Sequence, residues 1–152
     1  MTAEIFSFPA DAAHIAESLE LTNVIFTNGC FDILHPGHLS VISRCVRRAR
    51  EIDGVVVIGV DDDASVALRK GPARPVFPAW HRSNLLGSMY GVYKVIQFPT
   101  EKLGELICLI RPRLVVKGGD YTVESAVSCG YPVEIVETLP GWSTTGVIES
   151  LL

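Results

Sequence analysis

The sequence predicts an α/β domain built on one doubly wound, mainly parallel sheet with helices on both faces. Three observations carry this. Gly54-Val55-Val56-Val57-Ile58-Gly59-Val60 is a continuous apolar run, as expected for a strand covered on both faces. Val24-Ile25-Phe26 and Leu114-Val115-Val116 are shorter runs of the same kind. Segments with helical spacing separate them, and strands alternating with helices imply parallel pairing through crossovers.

Taken in order, residues 10–20 place Ala12, Ala13, Ile15, Ala16 and Leu19 on one side of a short amphipathic helix, so 1–20 reads as an N-terminal helical extension. Residues 23–28 are the first strand. Pro36 to Arg50 is a helix whose basic tail, Arg47-Arg48-Ala49-Arg50, complements the C-terminal dipole. That tail reads as a solvated helix end rather than a nucleic-acid patch. Gly54 to Val60 is the next strand. Asp61-Asp62-Asp63 can cap a helix over Ala64 to Arg69. Lys70 to Pro78 is a loop rich in Pro and Gly. Residues 79–91 are helical, Lys94 to Phe98 a strand, and Thr100 to Ile110 a helix. Leu114 to Val116 is a strand running into Lys117-Gly118-Gly119-Asp120-Tyr121. A weak helical pattern covers 122–129. Val133 to Val136 is a strand and Thr144 to Leu152 a last helix. No linker, repeat or low-complexity tract interrupts the series, so 1–152 reads as a single domain.

Composition narrows the function classes. The 152 residues suffice for a real core, and 48% hydrophobic with 20% charged residues is ordinary for a compact α/β protein. No apolar run approaches membrane-spanning length. The N-terminus lacks a basic region followed by an apolar stretch, so no signal peptide and a cytoplasmic location are expected. Cys30, Cys45, Cys108 and Cys129 form no CxxC pair, and reduced thiols are the simple expectation. The net charge of -4 argues against a general nucleic-acid binder. A phosphate ligand would therefore need local positive charge, offered by Arg69, Lys70, Arg74, His81 and Arg82, with Lys117 further on.

The most informative stretch is Asn28-Gly29-Cys30-Phe31-Asp32-Ile33-Leu34-His35-Pro36-Gly37-His38. It sits where the first strand hands over to a helix N-terminus, the place where ligands bind in an open α/β sheet. Free N–H groups and the positive dipole end favour phosphate there. Gly37 lets a ligand approach the backbone, and Pro36 suits a first helical turn. Two imidazoles can donate to phosphate oxygens that gain charge during reaction. A zinc site of Cys30, His35 and His38 lacks a fourth ligand and metal-type spacing, so no protein-held metal is expected. Two weaker signals follow. Gly118-Gly119 after a buried strand permits close backbone approach, although Gly-Gly-Asp is also ordinary turn chemistry. Ser143-Thr144-Thr145 before an apolar helix makes an N-cap, whose hydroxyls and free N–H groups can also hold phosphate.

The order TNGCFDILHPGH, VDDDASV, KGPARPV, VVKGGDY and STT resembles the HxGH nucleotidyltransferase superfamily. That superfamily includes cytidylyltransferases, adenylyltransferases and class I aminoacyl-tRNA synthetases. Within it, the chain is similar over about residues 22–152 to the adenylyltransferase domain that makes ADP-heptose from a heptose 1-phosphate. The VKGGDY form favours that branch over glycerol-3-phosphate cytidylyltransferases. The resemblance implies a Rossmann-like sheet, ATP and a small phosphorylated acceptor as substrates, and Mg²⁺ bound mainly through the triphosphate. It implies that His35 and His38 contact the triphosphate, with Lys70 beside them as a catalytic and acceptor-phosphate candidate. Thr27, Asn28, Gly29, Phe31, Asp32 and Gly37 would form the nucleotide cleft, Asp32 by orienting the loop. Lys117, Gly118, Gly119 and Asp120 would border the adenosine. Ser143, Thr144 and Thr145 would hold phosphate, and Arg82 would reach the triphosphate. Asp61, Asp63, Arg74 and Phe77 would lie toward the acceptor. A homodimer is the expected assembly, with no nucleic acid or membrane partner.

The chain departs from the family's usual pattern at Asp61 and Asp62, at Phe77 in place of Asn, at His81 in place of an acidic residue, and at Tyr93 in place of Asp. These departures put the heptose in doubt rather than nucleotidyl transfer. Phe77 in place of Asn predicts an acceptor that differs at one or more hydroxyls, and predicts that Phe77→Asn raises use of heptose 1-phosphate. A glycerol-3-phosphate-type cytidylyltransferase using CTP and a non-catalytic nucleotide-binding module are the alternatives. The retained histidines speak against the latter.

Overall fold

The computed structural model describes residues 2–152. Its centre is one six-stranded sheet in the order β1-β4-β3-β2-β5-β6, with every neighbouring pair parallel. The strands are β1 (Glu4–Ser7), β2 (Val24–Gly29), β3 (Val55–Asp61), β4 (Val92–Phe98), β5 (Leu114–Gly118) and β6 (Val133–Val136). The helices are α1 (Ala12–Ser18), α2 (Pro36–Glu51), α3 (Asp63–Lys70), α4 (Ala79–Gly87), α5 (Leu103–Ile110) and α6 (Thr144–Ser150). A single 3₁₀ turn, Thr100–Lys102, leads into α5.

Alternation along the strands divides the apolar residues between two cores. Ile25, Val56, Ile58, Val60 and Val116 face α2 and α4, packing on Ile42, Cys45, Ala49 and Leu86. Val24, Phe26, Val57, Ile96 and Val115 face α1 and α5, packing on Ile15, Leu19, Leu106, Ile107 and Ile110. This period of two explains why β2 and β3 read as unbroken apolar runs: both faces are covered. Arg44 and Arg48 of α2 reach across to Glu134 of β6, so part of the basic stretch of α2 clamps the helix to the sheet.

Three expectations fail. The N-terminal 20 residues are not simply helical: Glu4–Ser7 forms edge strand β1, paired with β4 from Glu4↔Lys94 to Ser7↔Gln97. Four residues ending near Pro9 are too few to show a strand period, and the sheet supplies the missing partner. Nor do residues 122–129 form a helix. Thr122 and Ser125 exchange bonds as a capping box would, the Thr122 N–H to Ser125 Oγ at 2.8 Å and the Ser125 N–H to Thr122 Oγ1 at 3.1 Å. The turn stops there. Val123 and Val127 remain exposed, so no buried apolar face repays helix propagation. The predicted helix at 79–91 ends early, at Gly87.

The topology creates a crevice. From β2 the chain moves outward through β3 to β4, then returns to β5 on the other flank of β2. The C-terminal ends of β2 and β5 therefore diverge at a topological switch point, where open α/β sheets bind ligands.

Candidate active site

A cleft of about 300 Å³ opens at this switch point. Its floor is the end of β2 (Thr27, Asn28, Gly29), with Cys30 and Phe31 following. One wall is the start of α2 with His35, Gly37, His38 and Val41. The other is Lys117 to Tyr121 after β5, together with Glu137, Thr138 and Leu139 after β6. Trp142, Ser143, Thr144 and Thr145 close it at the start of α6, and Lys70 reaches in from the end of α3.

The histidine pair is built by local geometry. His35 is the N-cap of α2 in extended conformation, and the Gly37 N–H donates to its Nδ1 at 3.1 Å. That bond leaves Nε2 as the protonated nitrogen of neutral His35. The His38 ring stacks on His35 with centroids 3.9 Å apart and planes at 28°. Phe31 lies beside His38, centroids 5.2 Å apart. The stack explains Gly37: a Cβ there would come within 2.8 Å of the His35 ring. Burial lowers the His35 pKa. Burial, and then the neighbouring His35 and Lys70, push His38 down to about 4. Both imidazoles are thus neutral at neutral pH. The buried His38 Nδ1 has no partner among the described residues.

Lys117 links the two diverging strands. Its ammonium donates to the Asn28 carbonyl at 2.8 Å and to Asn28 Oδ1 at 3.2 Å, and lies 4.2 Å from the Tyr121 ring centroid. Burial lowers its pKa to about 8, with Asp61 opposing and Arg69 assisting. Gly119 is required sterically, since a Cβ would meet Thr138 Oγ1 at 2.3 Å and the Thr138 backbone N at 2.7 Å. Ser143 caps α6 by accepting from the Gly146 N–H at 3.0 Å, leaving other first-turn N–H groups without intrahelical partners.

Of the sequence-predicted residues, the cleft gathers Thr27, Asn28, Gly29, Phe31, His35, Gly37, His38, Lys70, Lys117, Gly118, Gly119, Asp120, Ser143, Thr144 and Thr145. It does not gather Asp32, Asp61, Asp63, Arg74, Phe77 or Arg82, which belong to a separate clasp joining β2, β3 and α4. Asp32, fully buried, accepts from the Val76 N–H, the Phe77 N–H and Arg74 Nε, each at 2.9 Å. Burial alone would raise the Asp32 carboxyl, but these donors together hold it below its ordinary value. Arg82, also buried, donates to the carbonyls of Cys30 (2.6 Å), Asp61 (2.9 Å) and Phe77 (2.9 Å) and to Asp63 Oδ1 (2.7 Å). Asp61 is tied to Arg69 and to the Thr100 hydroxyl, each at 2.8 Å. Asp63 also caps α4, accepting from the Ala79 N–H at 2.8 Å. Asp62 caps α3 through the Ser65 N–H at 2.9 Å.

Arg82, expected toward the triphosphate, and Asp61, Asp63, Arg74 and Phe77, expected toward the acceptor, lie in the clasp, and Asp32, expected to orient a loop, holds the backbone of Val76 and Phe77. Apart from Arg74 Nη2, which is buried without a partner among the described residues, their side-chain polar atoms bond to protein groups. Phe77 stacks on His81 with centroids 4.6 Å apart, so these two residues pack on each other. The cleft is also lined by Cys30, Val41, Tyr121, Glu137, Thr138, Leu139 and Trp142, which the sequence reading did not assign to the nucleotide or acceptor. The detectable signal was position: Glu137 to Leu139 immediately follow a strand adjoining the switch point.

The sequence matches the cytidylyltransferase-like family over residues 26–142. It is 39% identical over 135 residues to the bifunctional protein HldE of Syntrophotalea carbinolica, covering 85% of this chain and 27% of that protein. It is 42% identical over 132 residues to the HldE of Caulobacter vibrioides, covering 83% and 26%. The chain thus spans about a quarter of the length of these curated relatives. Among solved structures, a macrolide-efflux protein from Streptococcus pneumoniae aligns with TM-score 0.68 at 19% identity, covering 87% of this chain and 52% of that one. A pantoate-beta-alanine ligase from Francisella tularensis aligns with TM-score 0.64 at 11% identity, covering 99% and 74%. These two show the fold alone. The stacked histidines at the switch point and the match from β2 past β6 agree: this chain belongs to the cytidylyltransferase-like family and carries a nucleotidyltransferase-like domain related to HldE.

Proposed function

We propose that this chain transfers an adenylyl group from ATP to a sugar phosphate of the heptose 1-phosphate type, with release of pyrophosphate. The observation that carries the reading is the neutral His35–His38 stack in the wall of the switch-point cleft. An acceptor phosphate oxygen attacks the α-phosphorus of ATP, the bond to the bridging oxygen breaks, and pyrophosphate leaves. No covalent enzyme intermediate is needed. Catalysis then consists of positioning and of donors aimed at developing charge. His35 Nε2–H and the His38 ring supply such donors. Lys70, exposed at the end of α3, adds positive charge where the phosphates meet. Lys117, Gly118, Gly119 and Asp120 border the base and ribose, and the first turn of α6 holds phosphate. The clasp residues act indirectly, by holding the 74–77 loop.

Magnesium fits as a companion of the triphosphate. The described residues include no group of three or more His, Cys, Asp or Glu suited to a metal ion. The carboxylates that line the cleft are Asp120 and Glu137, both exposed, so they would hold the ion through water or not at all. When bound, the ion offsets phosphate charge.

The test is pyrophosphate release with ATP or CTP across a panel of sugar 1-phosphates and glycerol 3-phosphate. Turnover with ATP and a sugar 1-phosphate is expected. Faster turnover with CTP and glycerol 3-phosphate would replace this reading with the cytidylyltransferase one. No release with any pair would favour a nucleotide-binding module.

A further inference from the structure

The connection from β5 to β6, residues 119–132, carries chemistry that the cleft does not use. Cys129 is exposed and donates from its thiol to the Gly104 carbonyl at 3.2 Å. Gly104 lies in the first turn of α5. In an α-helix that carbonyl also accepts the amide of the residue four positions on, here Cys108. The Cys129 sulfur therefore sits over the turn that carries Cys108, and Cys108 is exposed as well. Burial first, and then the adjoining Cys108 side chain, push the Cys129 thiol above its ordinary value. The other two cysteines differ. Cys45 is buried, and burial pushes it up to about 12. Cys30 is half-buried in the cleft.

We propose that Cys108 and Cys129 form a reversible dithiol–disulfide pair that pins the β5–β6 connection to α5. The co-reactant is a low-molecular-weight disulfide such as oxidised glutathione. One cysteine thiolate attacks a glutathione sulfur, forms a mixed disulfide and releases one glutathione thiol. The second cysteine thiolate attacks the protein sulfur of that mixed disulfide and displaces the second glutathione. Two protons and two electrons leave the cysteine pair, and one glutathione disulfide becomes two thiols. The connection begins with Gly119 and Tyr121, which line the cleft. The link therefore restrains one wall of the cleft from outside it, and reduction releases that wall.

The experiment treats the full chain with oxidised glutathione under native conditions, then alkylates free thiols and maps peptides by mass. The expected result is a Cys108–Cys129 linked peptide two hydrogens lighter than its parts, with Cys45 still alkylated after unfolding. The link should form equally in a Cys30→Ser protein and disappear on adding a dithiol reductant. Limited proteolysis within 119–131 should slow in the oxidised form and recover on reduction. Four free thiols after treatment, stable glutathione adducts on both Cys108 and Cys129, or a link through Cys30 would each overturn the proposal. So would a Cys108–Cys129 link that leaves proteolysis unchanged, because the pair would then pin nothing.

Discussion

The cleft and the clasp lie on either side of the same loop, yet they treat polar atoms in opposite ways. In the clasp, Asp32, Asp61, Asp63 and Arg82 each spend their hydrogen-bonding capacity on protein partners. In the cleft, His38 Nδ1 is buried without a partner and Lys70 reaches in from an exposed position. Burying an unpaired polar atom costs free energy, so the cleft gives up stability that a ligand can restore. Both regions come from motifs quoted for one resemblance. Motif membership alone therefore does not separate a residue that touches substrate from one that holds the loop around it. Arg74 stands between the two, with Nε on Asp32 and Nη2 buried without a partner.

The sharpest break of this contrast is Asp32→Ala. It removes the acceptor of two backbone N–H groups and leaves the Arg74 charge half-buried and uncompensated. The expected loss is about 3–5 kcal/mol of stability, read by denaturant unfolding. A loss of turnover with stability unchanged would move Asp32 into the cleft's class.

The complementary variants are His35→Ala and His38→Ala. Each should lower pyrophosphate release by about 10²–10³-fold, the scale for removing a preorganised donor. Melting temperatures should stay near the parent's, because neither ring is needed to fill a core. Near-normal turnover in both would sink the mechanism.

Titration gives a smaller signature. The folded His38 value of about 4 lies below the ordinary 6.5, so the unfolded chain binds a proton that the folded chain refuses. This contribution is fully present above pH 6.5, falls as pH drops from 6.5 toward 4, and levels off below that. His38→Asn should flatten the stability profile of the ligand-free protein within that window. An unchanged profile would mean that the ring is solvated.

The smallest effect is expected at Phe77. Phe77→Asn removes the stack on His81 and should cost about 0.5–1.5 kcal/mol beyond lost burial. Since Phe77 does not line the cleft, acceptor preference should stay as in the parent. A gain on heptose 1-phosphate would restore the sequence-based expectation and show that the 74–77 loop closes over the acceptor.

Most strands and helices were legible because their signals are local. β2, β3 and β5 are short apolar runs between turn residues, and α2 opens on Pro36 and Gly37. β1 was not, because a four-residue edge strand exists only through its pairing with β4. The turns at 122–129 failed in the opposite direction. Thr122 and Ser125 satisfy a helix start locally, but no tertiary surface receives Val123 and Val127.

The amino-acid sequence by itself determined the doubly wound class, the HxGH turn at the head of α2 and the three segments that meet in the cleft. Those follow from hydrophobic period, turn chemistry and residue order, which are properties of neighbouring residues. Only the tertiary structure decided which charged residues face the cleft. Arg82 of α4 and Lys117 of β5 are both buried cations. Arg82 lies among carbonyls from β3 and two loops, which take up its fixed fork of donors. Lys117 stands at the divergence of β2 and β5, where strand order opens a gap beside it. That difference is set by which strands are neighbours, a long-range fact that no local stretch of sequence contains.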